Sequence, residues 1–218
     1  MDIMNIMQQR HSVRQYADKP IEQEKRSVLN ALVAQCNAKA DLHIQIMYDE
    51  PRCFDSFMAH YGKFTGVQNY IALVGRKSPK LDEQLGYYGE QLTLKAQELG
   101  LNTCWVAMTH GKSSARVGKG EKCVCLLSLG YGTTQGVAHK SKPMAELSKA
   151  ADSAPAWFRL GMEAAMLAPT AMNQQKFCFE LLPDESVKLT CGKGFYTKLD
   201  MGIVKYHFEV ASGKTVTT

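Results

Sequence analysis

The sequence predicts an α+β fold in which a mixed sheet is flanked by helices, an α/β/α sandwich formed by a single domain of residues 1–218. Segments with helical spacing of apolar residues alternate with short apolar runs of the kind that form buried strands. The alternation is not strict, which favours a mixed sheet over a regular doubly wound one. Hydrophobic content of 45% and charged content of 22% are ordinary for a folded chain with a sizeable core.

Helices are predicted where apolar residues recur every three or four positions. In one of them Leu92, Ala96 and Leu99 share a face, and the following Gly100 is a suitable stop. Ser153 is a candidate N-cap for a later helix. The predicted helices cover residues 2–9, 22–38, 87–99, 155–167 and 200–211.

Strands are predicted where apolar residues alternate or run without interruption over five to seven positions. Residues 44–48 alternate, and residues 70–74 form a continuous apolar run that is typical of an interior strand. Residues 111–121 are interpreted as a surface loop or short helix, and residues 52–68 fit no regular element. The predicted strands cover residues 44–48, 70–74, 103–108, 123–129, 177–182 and 187–191.

Composition and charge exclude several classes of protein. The net charge is +5, but basic residues are scattered among acids, so we expect a mildly basic enzyme and no nucleic-acid partner. No apolar stretch reaches about 18 residues, so we expect no membrane segment and a cytoplasmic protein. The seven cysteines lie mostly in apolar runs without suitably spaced histidines, which indicates reduced structural thiols and no metal site.

The first candidate site is a short basic segment after the N-terminal helix. Arg10, Ser12 and Arg14 stand two residues apart, so an extended backbone turns their side chains to the same side. Two guanidinium groups and a hydroxyl suit a phosphate and an electron-rich carbonyl edge. On spacing alone, an exposed basic turn is the favoured interpretation of these residues.

Two further polar segments are candidates for ligand binding. Residues 168–175 follow a helix stop and carry hydroxyl and carboxamide groups that suit the hydrogen-bonding edge of a planar heterocycle. Lys140 and Lys142 precede Pro143 and suit an anion. Ordinary solvated loops would account for either segment taken alone.

Familiar catalytic motifs are missing from the sequence. It contains no G-x-x-x-x-G-K-[ST], no G-x-G-x-x-G before a helix, no G-x-S-x-G and no H-E-x-x-H. With no side chain predicted to be catalytic, a bound cofactor is the expected source of the chemistry.

Four segments together resemble the nitroreductase family of FMN enzymes. Residues 10–16 (RHSVRQY) resemble its R-x-S-x-R/K-x-F/Y opening, and residues 168–177 (APTAMNQQKF) resemble its A-P-S-x-x-N-x-Q-P-W segment. Residues 99–105 (LGLNTCW) resemble its G-L-G-T-C-W turn. Residues 128–131 (SLGY) with 140–143 (KSKP) are similar to its G-Y-P and K-x-R/K-P stretch.

The order of these segments departs from the usual family pattern. The A-P-S-x-x-N-x-Q segment commonly follows the second helix, whereas residues 35–39 lack it here and the matching loop lies near the C-terminus. Lys176 and Phe177 also replace the usual Pro and Trp. The resemblance therefore indicates a rearranged branch with a nitroreductase-like fold.

The resemblance implies an FMN site with distinct roles for its residues. Arg10, Ser12, Lys140 and Lys142 would hold the phosphate, His11 would contribute backbone, and Arg14 would face the pyrimidine edge and tune the flavin. Pro169, Thr170, Ala171 and Asn173 would approach the ring, usually from the second subunit of a dimer. The backbone of Trp105, Val106, Ala107 and Met108 would pass near the reactive edge, and Asn69 is a further candidate for the ring's polar edge.

The implied activity is an oxidoreductase that uses FMN to pass hydride or electrons from NAD(P)H, its co-substrate, to a small organic acceptor such as a nitroaromatic or a quinone. A ping-pong cycle and a homodimer with FMN at the interface are expected. A flavin-fragmenting or dehalogenating relative and a non-enzymatic FMN carrier or sensor remain alternatives.

Overall fold

The computed structural model describes residues 2–150 and 154–218, so the predicted cap Ser153 lies outside the described residues. The chain divides into two units, each built from separate segments. Unit 1 comprises Met1–Gln8, Asp82–Glu90 and Ala138–Thr218, and unit 2 comprises Gln9–Leu81 and Gln91–Val137. The single domain over residues 1–218 stays a prediction.

Helices and strands alternate irregularly along the chain, as predicted. The α-helices of the described ranges are α1 (Ile3–Gln9), α2 (Gln23–Ala40), α3 (Phe57–Tyr61), α4 (Leu81–Glu98), α5 (Met144–Leu147), α6 (Ala156–Met166) and α7 (Thr197–Ser212). The strands in the same ranges are β1 (Gln45–Met47), β2 (Asn69–Arg76), β3 (Asn102–Val106), β4 (Glu121–Gly130), β5 (Ser148–Lys149), β6 (Phe177–Leu181), β7 (Val187–Cys191) and β8 (Val216–Thr217). Short 3-10 helices lie at Pro51–Cys53 and Ala171–Asn173.

The predicted α+β class is confirmed, and the strands form two four-stranded sheets within the part of the chain that the structure describes. One sheet, in unit 2, has the order β1-β2-β4-β3 and is antiparallel throughout. The other, in unit 1, has the order β5-β6-β7-β8 and is mixed, with parallel outer pairs around an antiparallel centre.

The core of unit 2 is built on β2 and β4, its two central strands. Seven of the eight residues of β2 are buried, which explains its continuous apolar sequence. Phe54, Phe64 and Tyr70 pack as a ring cluster, with centroid separations of 5.2 Å for Phe54–Phe64 and 5.7 Å for Phe54–Tyr70. The unassigned residues 52–68 contain α3, which begins after Ser56, whose hydroxyl accepts the amide of Ala59.

The core of unit 1 forms where α6 and α7 pack together against the mixed sheet. The ring of Phe208 in α7 stacks on that of Phe179 in β6 at 4.6 Å and lies edge-on to Phe158 in α6 at 5.6 Å. Gly161 allows this contact, since a Cβ there would lie 2.6 Å from the Phe208 ring.

The α4 and α7 helices approach closely within unit 1 because two glycines face the contact. A Cβ on Gly86 would lie 2.0 Å from the carbonyl oxygen of Leu199, and one on Gly202 would lie 2.0 Å from that of Glu83. The sequence prediction started this helix at residue 87, whereas α4 begins at Leu81. Glycine has low helix propensity, so Gly86 weakens the helical pattern in the first turns of α4.

Candidate functional site

The basic segment after α1 runs beside β3 in unit 2. Ser12 forms a parallel bridge with Thr103, and the amide of Val13 donates to the carbonyl oxygen of Thr103 at 3.0 Å. Further along, the amide of Tyr16 donates to the carbonyl oxygen of Thr65 at 3.0 Å. These bonds extend the backbone and place the Arg10–Arg14 segment against the strand of the predicted helix-to-strand turn.

Gly66 permits the close approach of a loop to this segment, and its replacement tests the placement. Its φ is 68°, and a Cβ there would lie 2.2 Å from the carbonyl oxygen of Tyr16. We expect Gly66→Ala to lower the free energy of unfolding by at least about 2 kcal/mol, because it adds a backbone clash to left-handed strain. The measurement is urea denaturation.

Gly120→Ala is the matched control for this prediction. Gly120 also has a positive φ, of 84°, but no atom lies within 4 Å of a Cβ built on it. Gly120→Ala should therefore lower the free energy of unfolding only by the strain of a left-handed backbone, about 1 kcal/mol. Equal losses for the two variants would contradict the close approach of Gly66 to Tyr16.

The buried thiol of Cys104 in β3 interacts with the Ser12 side chain and with the charges of Arg10 and Arg14. Burial raises the pKa of Cys104, while the charge of Arg14, a hydrogen bond with the Ser12 side chain and the charge of Arg10 act in the opposite direction. Arg10 is only 3% exposed, whereas Arg14 is exposed and lies 5.9 Å from the centre of the Phe64 ring. One guanidinium of the predicted site is thus desolvated and the other faces solvent.

The residue that pairs with Ser12 on β3 also carries a hydroxyl. Thr103 is 1% exposed, and its Oγ1 has no hydrogen-bond partner among residues 2–150 and 154–218. Its neighbour Asn102 accepts the amide of Gly132 at 2.9 Å and donates to Gln135 at 3.1 Å, which anchors the loop after β4. The sequence identified neither residue as functional.

His11 lies close to this loop. A Cβ on Gly136 would lie 2.8 Å from the Cβ of His11 and 2.9 Å from the carbonyl oxygen of Ser12. Burial and then the charge of Arg10 lower the pKa of His11. The imidazole is therefore neutral at physiological pH, and the positive charge of the segment comes from the arginines.

The other predicted residues of unit 2 differ in what they present. Asn69 is 2% exposed, and its Oδ1 accepts the amide of Asp49 at 3.1 Å, so its carboxamide already supports a neighbouring turn. Val106 is buried at the end of β3, and Met108 is 68% exposed in the following bends. Trp105 and Ala107 lie between these extremes.

In unit 1 the structure joins the two predicted polar segments into one network. The Nζ of Lys142 donates to the carbonyl oxygens of Gln174 and Gln175, at 3.1 and 3.3 Å, and its amide donates to Oε1 of Gln175 at 2.8 Å. The carboxamides of Asn173 and Gln175 both donate to the carbonyl oxygen of Lys140 at 2.9 Å. Lys142 therefore shapes this loop from within, a role that the spacing of the lysines did not predict.

The loop at the end of α6 has an unusual backbone. Met172, Asn173 and Gln175 have φ values of 52°, 53° and 46°, in the left-handed region that costs side chains about 1 kcal/mol or more each. Thr170 stabilises it, since its Oγ1 accepts the amide of Gln175 at 3.1 Å. Pro169 and Ala171 are half-buried, whereas Met172 is 82% exposed.

Across residues 2–150 and 154–218, no group of three or more His, Cys, Asp or Glu side chains is placed to hold a metal ion. In the same ranges, no helix has both the length and the apolar character needed to cross a membrane.

Comparison with known proteins identifies the family. The model of the family described as "Putative TM nitroreductase" matches residues 2–212. The structure of a "putative nitroreductase" from Thermotoga maritima is similar to this chain with a TM-score of 0.72 and 21% identity over 97% of this chain and 83% of that one. A Desulfovibrio desulfuricans structure described as a putative nitroreductase in complex with FMN has a TM-score of 0.53 and 16% identity over 67% and 94%.

A third structure, described as a "Putative NADH dehydrogenase/NAD(P)H nitroreductase" from Bacteroides thetaiotaomicron, has a TM-score of 0.52 and 18% identity over 66% of this chain and 95% of its own. No curated protein matches the chain significantly in sequence. At these identities the solved structures establish the fold alone, and the family model, which spans nearly the whole sequence, establishes membership. The chain belongs to the putative TM nitroreductase family.

Proposed function

We propose that this protein is an FMN-dependent oxidoreductase that passes electrons from NADH or NADPH to a small organic acceptor. The observation that carries the proposal is the extended segment beside β3, in which Ser12 pairs with Thr103 and a buried Arg10 and an exposed Arg14 flank it. Family membership and the FMN complex of the Desulfovibrio desulfuricans protein support the same cofactor.

The donor set of unit 2 fits the phosphate of FMN. The guanidinium of Arg10 supplies charge, Ser12 supplies a hydroxyl, and the buried Oγ1 of Thr103 adds a second hydroxyl without a hydrogen-bond partner in the described part of the chain. Guanidinium–phosphate hydrogen bonds are short and strong, and a desolvated guanidinium such as that of Arg10 strengthens them further.

The residues divide between binding and tuning. We assign Arg10 and Ser12 to the phosphate, the His11 backbone beside them, and the exposed Arg14 to the pyrimidine edge of the ring. When bound, FMN supplies the two-electron chemistry. Arg14 would stabilise negative charge on the pyrimidine and so raise the reduction potential. No side chain is assigned a proton transfer.

The remaining predicted ligands stay proposals. These are Asn69 and the backbone of Trp105, Val106, Ala107 and Met108 in unit 2, and Lys140, Lys142, Pro169, Thr170, Ala171 and Asn173 in unit 1. The homodimer and the ping-pong cycle are proposed on the family resemblance, and the choice of a nicotinamide donor has support from the name of the Bacteroides thetaiotaomicron protein.

The function is tested by the visible spectrum of the purified protein, reconstituted with FMN if it is colourless. We expect flavin absorption near about 450 nm that bleaches within seconds when NADH or NADPH is added without oxygen, and that returns when a quinone or nitroaromatic is added.

The other outcomes discriminate against the proposal. A protein that refuses added FMN would overturn the assignment of Arg10 and Ser12. Flavin absorption that neither nicotinamide bleaches would retain the cofactor and exclude the proposed donor, as expected for a carrier or a specialised relative. Free FMN mixed with each nicotinamide under the same conditions is the control.

A further inference from the structure

Asp200 holds the strained loop of residues 170–175 from one side. It lies in the first turn of α7 and is 5% exposed. Its Oδ1 accepts the amide of Ala171 at 2.9 Å, and its Oδ2 accepts Nε2 of Gln174 at 2.7 Å. A single carboxylate thus binds both the start and the middle of this loop.

The contact with Gln174 has a fixed direction. Nε2 of Gln174 donates to Asp200 and also to the carbonyl oxygen of Phe195 at 2.9 Å, so both of its hydrogens are used. The carboxamide cannot turn its oxygen toward Asp200 without losing its bond to Phe195. Asp200 must therefore be an acceptor, which the ionised carboxylate is at both oxygens.

We propose that Asp200 is a positioning residue that fixes the loop of residues 170–175 in the conformation that contacts FMN, and that protonation of its carboxyl group releases the loop. The inference rests on the proposed function, because Thr170, Ala171 and Asn173 are assigned to the flavin there. Asp200 itself touches no ligand in this scheme and acts through Ala171 and Gln174.

The Asp200 carboxyl group binds a proton at a pH close to neutral. Burial raises the pKa of Asp200 to about 6, opposed by the hydrogen bonds from Ala171 and Gln174. The lysines on the adjoining segments, Lys176, Lys193 and Lys198, are exposed, and Glu83 of α4 is paired with Lys205 at 3.2 Å. Burial is thus the dominant cause, and the loop's own N–H groups are what favour the charge.

The effect of pH on the free energy of unfolding is opposite to its effect on the hydrogen bonds that hold the loop. Because the folded pKa lies above the ordinary value of 3.8, the folded state binds the proton more tightly than the unfolded chain. Asp200 therefore favours folding most below about pH 4, and this contribution is lost as pH rises through about 6. The loop is held best above that pH, so Asp200 costs global stability in the range where it positions the loop.

Asp200→Asn tests the proposal, because Asn has the same shape but presents N–H groups to Gln174. At pH 7.5, FMN titrated into the variant and followed by quenching of flavin fluorescence should bind about tenfold more weakly than to the wild type. The ratio of the two affinities should approach 1 at pH 5. The ratio cancels the titration of the FMN phosphate itself, and the exposed Asp184→Asn is the matched control.

Two further readouts separate positioning from a merely structural role. The melting temperature of FMN-free Asp200→Asn at pH 7.5 should be at least as high as that of the wild type. The Ala171 amide resonance of the FMN-free wild type should titrate with a midpoint near pH 6, and that titration should vanish in Asp200→Asn.

The outcomes are distinguishable from failure of the proposed function. A ratio of affinities near 1 at every pH, or an Ala171 resonance that does not titrate, overturns the role of Asp200 even if FMN binds. Absence of FMN binding by the wild type overturns the proposed function and the assignment of Asp200 to flavin binding, although the Ala171 titration still reports the hold on the loop.

Discussion

His207→Ala is expected to lower the free energy of unfolding by about 3–5 kcal/mol, because it breaks a fully buried side-chain hydrogen bond and leaves a cavity in the core. His207 in α7 and Glu90 in α4 are both 0% exposed, with Nε2 of His207 2.9 Å from Oε1 of Glu90. Nδ1 of His207 donates to the carbonyl oxygen of Ala164 in α6 at 2.9 Å. One imidazole thus joins three helices of unit 1. Urea denaturation of the His207→Ala variant measures the change in the free energy of unfolding.

Two variants control this prediction. Glu90→Gln keeps a hydrogen-bonding group opposite Nε2 of His207, so it should lower the free energy of unfolding less than His207→Ala does. Replacing both residues, as Glu90→Met with His207→Leu, should cost less than His207→Ala alone, because no buried carboxylate remains. Additive losses in the double variant would show that the two side chains do not interact.

The sequence predicted helices best where packing and local propensity agree. α2 and α6 lie within two residues of their predicted bounds, and Gly100 ends α4 with a φ of 75°, as the stop signal indicated. α7 begins three residues early, at Thr197, after the left-handed Tyr196. The start of α7 depends on tertiary contacts, which the spacing of apolar residues in the sequence does not reveal.

The division of the strands into two sheets could not be predicted from periodicity. The outer strands β5 and β8 are two residues long, too short to show any alternation. They pair in parallel with β6 and β7, and these pairings complete a separate mixed sheet. Sequence patterns reveal faces of individual strands, whereas the membership of a sheet is set by long-range pairing.

The residues of the candidate site stay a prediction from the sequence, and the structure adds the contacts that surround them. Arg10, Ser12 and Arg14 were identified by spacing, and the structure adds Thr103, which pairs with Ser12, and the buried thiol of Cys104. Asp200 appeared only as the start of a helix, because nothing in its neighbours along the chain indicates the loop whose N–H groups it accepts. Burial and hydrogen-bond partners arise from the fold, so sequence spacing gives candidate residues and the structure gives their surroundings.

Under the proposed function, replacing Arg10 should weaken FMN binding, whereas replacing Arg14 should slow the reduction of bound FMN. Arg10→Met keeps the buried volume and removes the charge, so FMN should bind about 10- to 100-fold more weakly, the loss expected for a desolvated charge-assisted hydrogen bond. Arg14→Ala should leave the affinity within about threefold, because Arg14 is exposed and screened. It should instead slow the reduction of bound FMN by NADH or NADPH about tenfold.

Riboflavin, which lacks the phosphate, is the control ligand for Arg10. If Arg10 binds the phosphate, Arg10→Met should change riboflavin affinity little. The variant should then weaken the binding of FMN much more than that of riboflavin, and this difference measures the coupling between the guanidinium and the phosphate. Arg14→Lys should restore most of the reduction rate, since a positive charge is retained at the same place. Equal weakening of FMN and riboflavin in Arg10→Met would mean that the buried guanidinium supports the fold of the segment, and the phosphate site would then have to be sought elsewhere.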